Sequence, residues 1–415
     1  MHLATLNIPD LYISLWRGTI ECDTRTDSKA AWPFAIFQTM ARWKAHGKLV
    51  ADAIPFTPGS FDRPARNIAE KLTSGYKSWE FLMYFYGHCP CLLFGDLPEE
   101  YYVQVCKLIR ATRVQIEVEI GVDLLRESDE LMCEQSDEFE ELYVQRRADR
   151  LHFVRASVHA PSHMPRETER LGPSMIYSQF TMERTIGNLG EEIKQHSNPY
   201  ANLSERAIRR CQVNALKALL PDIDPPEPKF PRRAHVLHGG QFALLPRRDK
   251  LARKVAPAEA RALQRFLSAQ GDDTRVDVEA LKVHRWARLR LPNGQTARCR
   301  WQEDSMDLEN IRMSRNIKLR GVAVCSLYGL PHPGIYRLSS KTYITMQHHR
   351  DTDVIAIDAR SILSVVLIAP DQRYPLFFHD SSAQDRYYLV ERPGLGILEK
   401  VGYTYNESHD SEDEE

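Results

Sequence analysis

Apolar residues recur every three or four positions through the first half of the chain, which is the spacing of helices with one buried face. This spacing predicts helices at residues 67–86, 98–120, 122–149 and 203–220. In the second of these, the apolar side consists of Tyr102, Cys106, Ile109, Ile116 and Ile120. We therefore expect a mainly helical region over residues 1–221.

The pattern changes after a proline-rich, basic segment at 222–234, which is typical of a linker. Residues 235–320 predict a mixed region, with a helix at 257–269 and a β-hairpin whose strands, 286–291 and 295–301, join across Pro292-Asn293-Gly294. A small β-rich domain, a partly open barrel, is predicted for 321–400 from apolar or alternating runs at 322–328, 353–357, 362–369, 375–378 and 387–391. The expected fold class is α+β.

The composition is typical of a folded protein with hydrophobic cores, since 43% of its 415 residues are hydrophobic and 27% are charged. Such a length allows two or three domains. No apolar run is long enough to span a bilayer, so we expect an intracellular chain with no membrane partner. The eight cysteines are scattered and are expected to be reduced. Residues 401–415 are acidic and predict a disordered tail.

The formal net charge is only −1, but basic residues concentrate in the middle of the chain. Such density favours contacts with DNA phosphates, which give salt-dependent and sequence-independent affinity. The alternative is that these residues form ordinary solvated faces, and charge alone does not decide between the two. The candidate nucleic-acid-binding residues are Arg146, Arg147, Arg206, Arg209, Arg210, Arg232, Arg233, Arg247 and Arg248.

Glu183 is the candidate catalytic residue. It lies in the segment 172–202, where Gly172-Pro173 predicts a turn and Thr181 a helix N-cap before a helix at 182–195. The spacing of Met182, Ile186, Leu189 and Ile193 predicts a buried face, with Glu183 beside it. A first-turn glutamate is also favoured by the helix dipole alone, which is the alternative explanation.

Four segments together resemble a known family. They read LNIPDLYISLWRG, SFDRPARNIAEKLTSGYKSWEFLMYFYG, YVQRRADRLHFVRASVHAPSHMPRET and GPSMIYSQFTMERTIGNLGEEIKQHSNPYANLSERAIRRCQVNALK. In order and spacing, from about residue 6 to about residue 400, the chain resembles the C-terminal half of fungal CACTA-type (En/Spm) cut-and-paste DNA transposases. The resemblance implies an RNase H-like core with a helical insertion, of which residues 1–221 would be a remnant. It also implies a DDE/D triad that holds two Mg²⁺, whose last acidic member maps onto Glu183.

In that family the first two aspartates precede the point where this chain starts. Because Mg²⁺ at a two-metal site is held by several carboxylates, Glu183 would bind it only if the missing aspartates were supplied. We therefore expect a transposase-derived, catalytically incomplete protein without a cofactor of its own, nuclear if functional, that binds DNA weakly or binds a full-length transposase. One alternative is a subunit of an active Mg²⁺-dependent transposase that supplies Glu183 in trans or within a longer gene product. The other is a decayed element with no selected function.

Three histidines, His152, His159 and His163, precede Glu183 and offer a rival metal site, because imidazoles and a carboxylate can hold a transition metal. Pro161 and Pro165 flank His163, so the sequence predicts that no continuous helix presents His159 and His163 as a pair. A packing role beneath the Glu183 helix is the simpler expectation for this segment.

Overall fold

Helices dominate the N-terminal half of the protein. The computed structural model describes residues 2–61, 63–193, 197–223, 230–270, 282–299, 312–314, 321–349, 354–378 and 384–394. Within 2–223 the α-helices are α1 (Ile8–Trp16), α2 (Met40–Asp52), α3 (Ile68–Lys71), α4 (Ser78–Met83), α5 (Cys89–Leu92), α6 (Glu99–Gln115), α7 (Val122–Phe139), α8 (Ala156–His159), α9 (Met164–Leu171), α10 (Phe180–Glu191) and α11 (Pro199–Leu219). In the described residues, no helix is both long and apolar enough to cross a membrane.

All described strands lie between residues 235 and 390. They are β1 (His235–Leu237), β2 (Phe242–Leu244), β3 (Arg253–Lys254), β4 (Lys282–Val283), β5 (Arg288–Arg290), β6 (Thr296–Arg298), β7 (Arg312–Ser314), β8 (Val322–Ser326), β9 (Ile344–Gln347), β10 (Val354–Asp358), β11 (Leu367–Pro370) and β12 (Arg386–Val390). They form antiparallel sheets of order β1-β2-β5-β6, β10-β8-β7, β11-β12-β9 and β3-β4. Three further helices accompany them: α12 (Pro257–Ala269), α13 (Pro333–Leu338) and α14 (Tyr374–Phe377).

The α+β class, with a helical N-terminal region and small C-terminal sheets, is confirmed. The predicted hairpin is also confirmed, since β5 pairs with β6 and Gly294 takes a φ of 83° in the turn between them. Some local predictions are wrong. Residues 67–86 form two short α-helices, α3 and α4, rather than one continuous helix. Residues 375–378 fall largely in helix α14, whose first turn accepts Pro375, and the described strands form separate sheets rather than a barrel.

Several predictions lie outside the described residues. These are the tail at 401–415 and residues 224–229 of the linker. The division of the chain into domains stays a prediction.

Tyr12 of α1 lies at the centre of the main core. Its ring centroid is 5.6–5.9 Å from those of Trp16, Phe85, Phe139 and Tyr143, mostly in tilted or edge-on arrangements. Its buried hydroxyl oxygen accepts a hydrogen bond of 2.8 Å from Gln104, so the polar end of the ring is not left unpaired. This aromatic cluster joins α1 to the helices that follow it.

The C-terminal strands complete that same core. Tyr343, Leu367, Tyr388 and Val390 are buried in it together with the N-terminal helices. The Tyr388 hydroxyl lies 3.0 Å from Nδ1 of the buried His88, which directly precedes α5. The sheet β11-β12-β9 therefore packs on helices that precede it by more than 200 residues.

A buried carboxylate, Asp371, follows β11 and is 5% exposed. It accepts hydrogen bonds from the Tyr343 hydroxyl at 2.6 Å and the Thr345 hydroxyl at 2.5 Å. The backbone N–H groups of Arg373 and Tyr374 also donate to it, at 3.0 Å each. Asp371 thus fixes the turn between β11 and α14 against the start of β9.

Replacing Asp371 with Ala should lower the free energy of unfolding by about 3 kcal/mol, because four buried donors would lose their acceptor. Urea denaturation followed by circular dichroism measures the change. The matched control is Asp129→Ala, on the exposed side of α7, which should leave stability nearly unchanged. Similar midpoints for the two variants would contradict the role given to Asp371.

Two buried histidines should make stability depend on pH. Burial lowers the pKa of His46 to about 3 and that of His88 to about 4, with smaller contributions from Arg373 and Arg113 respectively. The unfolded chain, in which a histidine has a pKa of about 6.5, then binds protons that the native protein excludes. The free energy of unfolding should therefore be highest above pH 6.5 and should fall as the pH falls from 6.5 towards 4.

Measured by urea denaturation between pH 7 and pH 5, this slope approaches about 1.4 kcal/mol per pH unit for each histidine. The double variant His46→Gln, His88→Gln should be less stable at pH 7 but should show a much flatter slope. An equal slope in the two proteins would show that these imidazoles are not the cause.

Candidate nucleic-acid interface

An open groove of about 580 Å³ lies at one side of the four-stranded sheet. Pairing of β1 with β2, and of β2 with β5, brings three chain segments together there. Its lining comes from the residues before and at the start of β1, after β2 and before β5: Arg233, Ala234, His235, Pro246, Arg247, Arg248 and Trp286. Three of the arginines predicted to contact DNA thus converge on one surface.

The walls of the groove are fixed by bonds across the sheet. Ala287 N–H donates to the carbonyl of Arg247 at 3.0 Å, and Arg248 forms a bridge with Trp286. The Arg288 guanidinium donates to the carbonyl of Pro246 at 3.2 Å. The segment that carries Arg247 and Arg248 is therefore held as an extension of the sheet.

The Trp286 indole packs against the Arg248 guanidinium. The indole is 6% exposed, and the Arg248 guanidinium carbon lies 5.6 Å from the centre of its ring, which is within the range of a cation–π contact. His235 lies on the same indole, with ring centroids 6.3 Å apart. Stacking leaves the edge of the guanidinium open to solvent, where its N–H groups can meet an anion.

The buried carboxylate of Asp249 pairs with two arginines beside the groove. Asp249 is 5% exposed; its Oδ2 accepts from Arg285 at 2.8 Å, and its Oδ1 lies 3.6 Å from Arg253. In contrast, no acidic side chain within the described part of the chain pairs with Arg233, Arg247 or Arg248, and all three are exposed. The groove therefore presents cations that have no intramolecular counter-ion there.

The other predicted arginines do not line this groove. Arg146 pairs with Glu141 at 2.8 Å, Arg147 pairs with Asp149 at 2.6 Å, and Arg210 forms an ion pair with Glu192. Arg206 and Arg209 lie on α11, and Arg232 immediately precedes the groove residue Arg233. The pairing of Arg146, Arg147 and Arg210 makes them weaker candidates for phosphate contact.

Glu183 lies in the first turn of α10, after Gln179 as N-cap rather than the predicted Thr181. Its carboxylate is about half exposed and lies 3.2 Å from Nε2 of His2. Among the residues that the structure describes, no group of three or more His, Cys, Asp or Glu side chains is placed to hold a metal ion. One exposed carboxylate beside an imidazole does not fit a two-Mg²⁺ site, which needs several shared carboxylates.

The predicted buried face of the Glu183 helix is wrong for the residues described. Met182 is 62% exposed and Ile186 is 60% exposed, and neither α10 nor α11 contains a buried residue. The two helices contact each other, and in the residues described no side chain of either one reaches a buried core. Periodicity indicates an apolar face but not what covers it.

The two histidines lie in separate helical segments, as predicted, since His159 ends α8 and His163 ends the 3₁₀-helix that follows it. Nε2 of His159 lies 3.1 Å from Nε2 of His163, so the two imidazoles do form a pair. Pro161 and Pro165 occupy the first turns of a 3₁₀-helix (Ala160–His163) and of α9, where proline is tolerated because no N–H is required there. His152 is separate, with Nε2 2.6 Å from the carbonyl oxygen of Glu21.

Comparisons of the chain with family models, with curated proteins and with solved structures gave no match. The groove is therefore interpreted from its own chemistry. The sequence prediction did not include its aromatic members, Trp286 and His235, or the orienting carboxylate Asp249. The signal that could have found Trp286 is its position at the start of the predicted hairpin, between Arg285 and Arg288.

Arg247 has an unusual backbone, with a φ of 115°, a region that residues other than glycine rarely occupy. Arg247→Gly and Arg247→Ala both remove the guanidinium, but only glycine adopts this φ without strain. We therefore expect the glycine variant to be more stable than the alanine variant by about 1 kcal/mol in urea denaturation. A more stable alanine variant would show that the positive φ carries no strain.

Proposed function

We propose that this protein binds DNA through the phosphate backbone, with the groove formed by Arg233, Arg247, Arg248 and Trp286 as the contact surface. The observation that carries the proposal is the convergence of three exposed arginines, without acidic partners in the described residues, around one open groove. Guanidinium groups match phosphate oxygens in shape and charge. Such contacts give affinity without reading the base sequence.

Local charge, not overall charge, would direct this binding. The chain has a net charge of −1, so its field as a whole does not attract DNA. Three acidic residues of α7 pair with cations outside the groove: Glu134 and Glu138 with Lys107, and Glu127 with Arg110. The groove therefore offers a restricted basic surface, which suits weak and salt-sensitive binding.

We also propose a transposase-derived origin, on the strength of the resemblance to CACTA-type transposases. The α+β order, with helices first and small sheets after them, is compatible with that origin. The surroundings of Glu183 favour a binding role over strand cleavage, because its carboxylate is exposed and lies beside His2. In this proposal the helical region is the remnant of the catalytic core, and the groove supplies the remaining interaction with DNA.

Salt dependence tests the proposal directly. Fluorescence anisotropy of a labelled 20-base-pair duplex should show binding that weakens as salt rises. Three phosphate contacts predict a slope of log K against log [salt] of about −2.7. Replacing Arg233, Arg247 and Arg248 with Ala should remove most of that slope and most of the affinity at low salt, because each lost contact reduces the slope by about one.

The control removes the same number of charges elsewhere. Arg42, Arg126 and Arg166 are exposed on α2, α7 and α9, and none lines the groove. Their joint replacement with Ala should change the slope little. Unchanged binding in the groove variant, equal losses in both triple variants, or no binding by the parent chain at low salt would each overturn the proposal.

A further inference from the structure

His159 and His163 form an exposed imidazole pair that DNA binding does not use. Their Nε2 atoms are 3.1 Å apart, and their rings, with centroids 4.7 Å apart, are nearly perpendicular at 87°. Both side chains are exposed. One Nε2 donates a hydrogen bond to the other while its ring carries the proton on Nε2. When both rings carry the proton on Nδ1 instead, both Nε2 lone pairs are available to a metal ion.

We propose that His159 and His163 are a two-point binding site for a borderline transition-metal ion such as Zn²⁺ or Ni²⁺. With metal–nitrogen bonds of about 2.05 Å, two nitrogens 3.1 Å apart subtend an angle of about 98° at the metal. This value lies between the octahedral and tetrahedral angles. The spacing therefore fits coordination by both nitrogens after modest rotation of the two exposed rings.

The donor type selects the class of metal. Neutral imidazole suits Zn²⁺, Cu²⁺ and Ni²⁺, whereas Mg²⁺ and Ca²⁺ prefer oxygen ligands. The described residues place no third His, Cys, Asp or Glu in such a group, so water fills the remaining coordination positions. The site is thus a chelating pair open to solvent, separate from any carboxylate site at Glu183.

Residues next to the two histidines are buried in the protein. Pro161 and Pro165 are buried, and Val158, next to His159, is 5% exposed. Since proline fixes its own φ, Pro161 restricts the backbone of the turn between the two histidines. Little conformational freedom of the backbone is then lost when the metal binds, which favours chelation over binding by either histidine alone.

Isothermal titration of the full chain with Ni²⁺ tests the proposal, with exposed Cys133 and Cys211 changed to Ser so that thiolates do not compete. One site that saturates is expected. His159→Ala and His163→Ala should each weaken binding by about tenfold or more, because either change leaves a single ligand without the effective concentration of its neighbour. His152→Ala is the matched control and should bind as the parent does.

Circular dichroism of each variant excludes unfolding as the cause. Mg²⁺ titrated in place of Ni²⁺ should give no binding that depends on His159. Equal Ni²⁺ affinity in the parent and in His159→Ala would overturn the proposal, as would an equal loss in the His152→Ala control. A tenfold loss confined to the two paired histidines would support it.

Discussion

The buried carboxylate of Asp371 constrains how the C-terminal strands pack on the N-terminal helices. Desolvation of a carboxylate is expensive, and only a full set of donors offsets it. Those donors come from the start of β9 and from the turn into α14, and the thiol of Cys91 in α5 lies 3.8 Å away. Since they span residues 91–374, this arrangement requires the C-terminal strands to dock on the N-terminal helices.

That constraint extends to the groove. A second core joins the four-stranded sheet to the segment of β8. It contains Trp286 and Leu289 together with Ala323 of β8 and Ala359. Gln295, in the turn before β6, accepts from Val365 N–H at 2.9 Å and donates to the Val365 carbonyl at 3.0 Å. The sheet is therefore tied to the segment that leads into β11 and Asp371. Arginines placed on such a sheet keep their spacing better than arginines on a free loop.

Sequence patterns predicted the helices and turns that depend mainly on neighbouring residues. Helical spacing located α6 and α7, and Asn293-Gly294 located the hairpin because the turn needs a positive φ. Patterns could not show which faces would be covered: the spacing of Met182 and Ile186 is that of a core helix, yet both are exposed. Sequence patterns also could not predict the groove, because its walls depend on the pairing of β2 with β5, which are more than 40 residues apart.

In the proposed function, the charges around the groove favour the binding of an anion. Exposed guanidiniums close together repel one another, and Arg247 also has a positive φ. The protein offsets part of this with Asp249, but that carboxylate is directed at Arg285 and Arg253, not at the arginines of the groove. In the proposed function, a phosphate at the groove would reduce the repulsion among these arginines. The unpaired charge of Arg233, Arg247 and Arg248 would therefore favour a complex with a polyanion.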